Sequence, residues 1–114
     1  MNNYEITIGE KTYECKLNAY NSVLLERKLG RNPLMVFAEL GNEGNKLPSM
    51  EELIMIFEYS LRAKHKDIKS EQVFGIYDDY IGEGHTFDEF LLELVEILKA
   101  SGYIKTEADT NSKN

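Results

Sequence analysis

Few side chains in this sequence have the types and spacing that chemistry needs, and those few stand far apart. Two histidines, His65 and His85, and one cysteine, Cys15, are the whole supply of imidazole and thiol. None falls in a His-x-x-x-His or Cys-x-x-Cys spacing that would hold zinc. Asp78, Asp79 and Glu83 could offer carboxylates to a divalent cation, but a Ca²⁺ loop alternates its ligands around a central glycine and this run does not. They read more simply as a solvated helix end. Gly82-Glu83-Gly84 has the glycines of a phosphate loop without a following Lys-Ser or Lys-Thr, and its carboxylate would repel phosphate. No Ser, His and Asp can be grouped as a nucleophile with its base. The sequence therefore predicts no catalytic residue, no cofactor and no metal. Cys15, in an alternating strand-like stretch, reads as a small buried hydrophobe. His65, between Lys64 and Lys66, reads as a favourable charge at a helix C-terminus.

The elements that would position these groups are marked by local chemistry. Tyr4-Glu5-Ile6-Thr7-Ile8 and Tyr13-Glu14-Cys15-Lys16-Leu17 alternate apolar with polar, and Gly9-Glu10-Lys11-Thr12 lies between them as turn material. This predicts a β-hairpin with one wet face, whose other face (Tyr4, Ile6, Ile8, Tyr13, Cys15, Leu17) needs helices to cover it. Asn18 caps a first helix running to Leu29, and Gly30 closes it. Asn32-Pro33 opens a short second helix, where Pro33 as first helical residue loses nothing by lacking an N–H. Pro33, Val36, Phe37 and Leu40 share one face of it. Gly41 to Lys46 breaks the pattern as a flexible stretch. Ser49-Met50-Glu51-Glu52 is a capping box for a third helix to about Lys64, apolar around most of its circumference and so expected to be central.

Ser70 is read as the cap of a fourth helix with Val73, Tyr77, Tyr80 and Ile81 at helical spacing. Gly75 inside it suggests a close helix contact or an imperfect helix. Thr86-Phe87-Asp88-Glu89 is a second capping box, and the fifth helix runs to about Ser101 and closes at Gly102. Its expected buried stripe is Phe87, Phe90, Leu91, Leu94, Val95 and Leu98, with Leu92 left off it. The expected fold class is α+β, predominantly α: an N-terminal hairpin packed on about five helices. One domain spans residues 1–104, and 105–114 form a disordered polar tail.

The bulk numbers agree with a small globular domain. At 114 residues, 42% hydrophobic and 29% charged, the chain can bury roughly two thirds of its unfolded surface. No apolar run approaches the roughly 18 to 20 residues that span a bilayer, and the N-terminus lacks a signal-like segment. We therefore expect a soluble, intracellular protein without membrane contact. A net charge of −7 argues against nucleic-acid binding, which depends on clustered Lys and Arg.

Taken in order, the β-type start, Leu-Glu-Arg-Lys-Leu-Gly-Arg-Asn-Pro-Leu from Leu25 to Leu34, Asp-Asp-Tyr-Ile at Asp78 to Ile81 and the terminal Ser101-Gly102 resemble the tail assembly chaperones of long, non-contractile-tailed phages and prophages of Gram-positive bacteria. The resemblance covers about residues 4–104. It implies a non-catalytic protein of the host bacterial cytoplasm that binds the tape measure protein, keeps its helices soluble and helps tail tube subunits polymerise. Such a protein is not retained in the mature virion. It also implies a longer, frameshifted form that recruits the tail tube protein, and Ser112-Lys113-Asn114 permits an A-AAA-AAY slip site. A homo-oligomer is possible. The family has no catalytic residues to carry over.

Apolar helical residues left over once the core is filled are the natural partner contacts, and Met35, Tyr80 and Leu92 are the candidates. The competing reading is a small acidic phage-encoded inhibitor or DNA mimic. That would need carboxylates at phosphate spacing over one face, whereas here they are scattered among helix ends and mixed with 13 Lys and Arg residues. An enzyme ranks third, for want of candidate residues.

Overall fold

Two antiparallel strands, β1 (Tyr4–Ile8) and β2 (Lys11–Cys15), pair in register from Tyr4↔Cys15 to Ile8↔Lys11. The computed structural model describes residues 3–38, 40 and 47–105. The connection is Gly9-Glu10 alone, shorter than the four-residue turn expected, so Lys11 and Thr12 belong to β2. Gly9 takes φ +64°, a left-handed value that two-residue hairpin turns need and that glycine adopts without strain. Ile6, Ile8, Cys15 and Leu17 are buried, with Tyr4 and Tyr13 half-buried beside them. That is the inner face the alternation predicts.

Helix α1 (Ala19–Leu29) is capped by the Asn18 side chain, which accepts from the Asn21 N–H at 2.8 Å, and closes at Gly30 with φ +80°. Asn32 then accepts from the Leu34 N–H at 2.8 Å to start α2 (Pro33–Phe37). Arg31 ties this junction to α3 (Met50–Leu61) through Nη2 to Glu52 Oε2, 2.9 Å. Glu52 is also the acid of the predicted capping box. Its N–H donates to Ser49 Oγ at 3.1 Å, and its Oε1 accepts from the Ser49 N–H at 3.3 Å. Partial burial alone would raise its pKa, but the Ser49 amide and the Arg31 guanidinium outweigh that and hold the carboxyl below the usual range.

Helix α3 is central, as its all-round apolar composition predicts. It packs against α1, α4, α5 and β2, with Leu53, Ile56, Phe57, Ser60 and Leu61 essentially inaccessible. It ends at Leu61 rather than Lys64, where the Arg62 and Lys64 amides donate to carbonyls three residues back, those of Tyr59 and Leu61, and tighten the last turn.

Helix α4 (Ser70–Gly82) departs from expectation in three ways. Its N-cap is Lys69, whose N–H donates to Gln72 Oε1 at 2.8 Å, while Ser70 lies inside the helix and donates from its hydroxyl to Glu58 Oε1 at 3.0 Å. Its buried stripe is Val73, Ile76 and Tyr80. Tyr77 is half-buried and Ile81 exposed, because the helix is rotated toward Ile76. Gly75 marks neither a close contact nor a break: the helix continues through it, and the space a Cβ would fill is empty.

Helix α5 (Phe87–Ala100) starts from the Thr86–Glu89 capping box and buries Phe90, Leu91, Leu94, Ile97 and Leu98. Ile97 was missing from the expected stripe, while Phe87 and Val95 are only partly buried. Phe90 meets Phe57 and Tyr77 edge-on at 5.3 and 4.8 Å between centroids, a geometry that adds about 0.5–1.5 kcal/mol per pair beyond area burial. Ser101 Oγ accepts from the Leu17 N–H at 2.8 Å, pinning the strand exit to the end of α5. The described residues thus form a two-stranded hairpin on five helices, predominantly α. The flexible stretch expected at 41–46 and the tail from 106, including Ser112-Lys113-Asn114, lie outside the described residues.

Candidate protein-binding groove

The three contacts expected from sequence fall in different settings. Met35 on α2 and Leu92 on α5 are exposed, at 50% and 62%. Tyr80 is not a surface residue: it is 2% exposed and belongs to the core. Its ring stacks on His85 with centroids 4.3 Å apart, and its hydroxyl donates to Glu93 Oε2 at 3.1 Å. The Tyr4 hydroxyl donates to the other oxygen of Glu93, at 2.5 Å. Burial first, and then the Glu93 carboxylate, push both phenols well above the ordinary tyrosine value. Periodicity put Tyr80 on the right face of α4. What it could not supply was the carboxylate on α5 that makes burying the hydroxyl affordable. Leu92 and Tyr80 border one shallow depression of about 290 Å³, and Met35 is not part of it.

Cys15, His65, Asp78 and Asp79 lie outside that depression. Cys15 is fully enclosed, and burial pushes its thiol up to about 12, so the thiolate that nucleophilic chemistry requires is suppressed. His65 lies just past the end of α3. Its ring tilts against Tyr13, its Nε2 is enclosed without a hydrogen-bond partner, and it is the backbone N–H that reaches Leu61. Asp78 and Asp79 are exposed on α4. Among the described residues no three His, Cys, Asp or Glu side chains are grouped to hold a metal ion, and no helix is long and apolar enough to cross a membrane.

A larger opening lies elsewhere, between α3 and α4. It has a volume of about 570 Å³ and is lined by Met50, Glu51, Ile54 and Met55 of α3 and by Phe74, Tyr77 and Asp78 of α4. Glu58 sits where the two helices are tied together, bound to Ser70 and, at 2.7 Å, to Arg62. Lys28 of α1 approaches the α3 side. Phe74 is 55% exposed and Met50 41%, so two large apolar side chains meet water at this opening. Sequence reasoning missed this groove, although it had one signal. Phe74 follows Val73 directly, so if Val73 is buried Phe74 must lie about 100° away, off the core-facing stripe.

A family model described as a family of unknown function, DUF6096, matches residues 2–114, and the chain belongs to that family. No curated protein and no solved structure matches it.

Proposed function

We propose that this member of DUF6096 is a non-catalytic tail assembly chaperone of a long-tailed phage or prophage. It binds the tape measure protein, shields that protein's apolar helical stripes until tube subunits close around them, and leaves before the virion matures. The observation that carries the reading is the α3–α4 groove. Helix α3 packs against α1, α4, α5 and β2, yet beside its contact with α4 a cavity remains that is lined by exposed Met50 and Phe74. Unfilled apolar concavities with flexible Met linings are suited to holding a partner helix. The excess of acid keeps such a complex soluble. The ordered Leu25–Leu34, Asp78–Ile81 and Ser101-Gly102 motifs supply the link to tail chaperones.

Co-expression tests this directly. The full chain and the very long helical protein encoded beside it should co-purify, and the long protein should be insoluble when expressed alone. A gene neighbourhood with no tail tube gene and no long helical protein, or a long partner that is soluble alone and ignores this chain, would refute the reading.

A further inference from the structure

We infer that the α3–α4 groove receives a basic amphipathic α-helix from a partner protein, with Phe74 and Met50 as its apolar contacts and Glu51 and Asp78 as its charge contacts. This rests on the reading of the chain as a binding protein and adds the chemistry the partner must present.

Length is the first argument. From Met50 to Glu58 the lining of α3 advances eight residues, or about 12 Å at 1.5 Å per residue. A partner helix presenting anchors at i, i+3 or i+4, and i+7 spans about 10.5 Å by the same rise. Three anchors therefore fit between Met50 and the Glu58–Ser70 hydrogen bond.

Charge is the second. Glu51 and Asp78 have no ion-pair partner among the described residues, whereas Glu58 is already satisfied by Arg62 and Ser70. Glu51, in the first turn of α3, and Asp78 on α4 outnumber the one ammonium at Lys28, and this negative balance favours an occupant with Lys or Arg flanking its apolar stripe. Long basic side chains can lay their methylenes along Met50 and Phe74 while the charged heads reach the carboxylates.

The two longer stretches outside the described residues do not fit. Residues 41–46 (Gly-Asn-Glu-Gly-Asn-Lys) and 106–114 (Thr-Glu-Ala-Asp-Thr-Asn-Ser-Lys-Asn) contain no large apolar side chain. A second copy would bring another net −7 to an acidic rim, so like charge opposes self-docking.

The test titrates the full chain with two labelled peptides of about five helical turns. Both have leucine at i, i+3 and i+7, one flanked by lysine and the other by glutamate. Binding is read by fluorescence anisotropy and by amide chemical shifts. The lysine peptide should bind and shift amides in Met50–Glu58 and Ser70–Asp78. Phe74→Ser should weaken it roughly tenfold or more while moving the melting temperature by less than about 4 °C, and Met50→Ser gives a second, independent lesion. Glu51→Lys with Asp78→Lys should reverse the preference toward the glutamate peptide. Equal binding of both peptides to the unaltered chain, shifts confined to other surfaces, or self-association abolished by Phe74→Ser would each overturn the inference. If tape measure protein binds the Phe74→Ser and Met50→Ser chains as tightly as the natural one, the groove assignment fails and the chaperone reading rests on the ordered sequence motifs alone. If the lysine peptide seats in the groove but the tape measure protein is never captured, only the chaperone reading fails.

Discussion

The two sides of α4 show how differently one helix can be finished. Toward α5, Tyr80 is buried, stacked on His85 and hydrogen-bonded to a carboxylate that also holds Tyr4, so three elements are locked by one satisfied polar cluster. Toward α3, Phe74 lies exposed above a groove, and Asp78 has no ion partner among the described residues. The first arrangement has the marks of stability: burial, saturated hydrogen bonds and cross-element aromatic contacts. The second leaves apolar surface in water, which is the surface the proposed partner helix would cover. A substitution on the closed side should damage folding and leave binding interpretable only through folding. On the open side the reverse should hold.

The largest effect is expected at the closed side's centre. Phe90→Ala removes a ring that touches Phe57, Tyr77 and Tyr80 and should cost about 3–5 kcal/mol in urea unfolding, as large-to-small core changes do. Loss of under about 1 kcal/mol would show that this aromatic cluster is loosely packed.

Tyr80→Phe is subtler, deleting one of the two donors to Glu93 at a cost of about 1 kcal/mol at neutral pH. It also has a pH signature. Because the folded-state pKa values of Tyr4 and Tyr80 are raised, their contribution is fully present below the unfolded tyrosine value of about 10. It is lost as pH rises from there through the folded values. Stability measured between pH 9 and 11, on the order of the tyrosine range, should therefore decline more gently in Tyr80→Phe than in the natural sequence. Equal slopes would remove these phenols from the account.

Gly75→Ala should add about 0.5–1 kcal/mol, since the helix loses a glycine and the new Cβ meets nothing. Destabilisation would mean that the space beside Gly75 is filled in solution.

Element boundaries were legible because their signals act within four residues. Asn18, Asn32-Pro33, Ser49 with Glu52 and Thr86 with Glu89 each satisfy helix-end N–H groups locally, and each sits where the sequence places it. Misreadings arose where a distant partner decides the outcome. Ser70 gave up the cap because Glu58, a helix away, takes its hydroxyl. Ile76 and Ile97 are buried, and Ile81 is not, because the rotation of a helix is set by what it packs on rather than by its own period. The groove was the least legible feature, since its width depends on how far α3 and α4 stand apart, and no residue pattern encodes that spacing.

The smallest stability effect belongs to the open side. Phe74→Ser should shift unfolding by no more than about 0.5 kcal/mol, so binding can be read in a folded protein. A drop of more than about 2 kcal/mol would place Phe74 in the core and close the comparison.

Site-specific photo-crosslinking in the co-expressed complex tests the central claim most directly. A photoreactive phenylalanine analogue would replace, one at a time, Phe74 in the groove and the exposed Met35 and Leu92 outside it. The groove account predicts that irradiation links the tape measure protein from position 74 and weakly or not at all from positions 35 and 92. Crosslinks from 35 or 92 with none from 74 would contradict it.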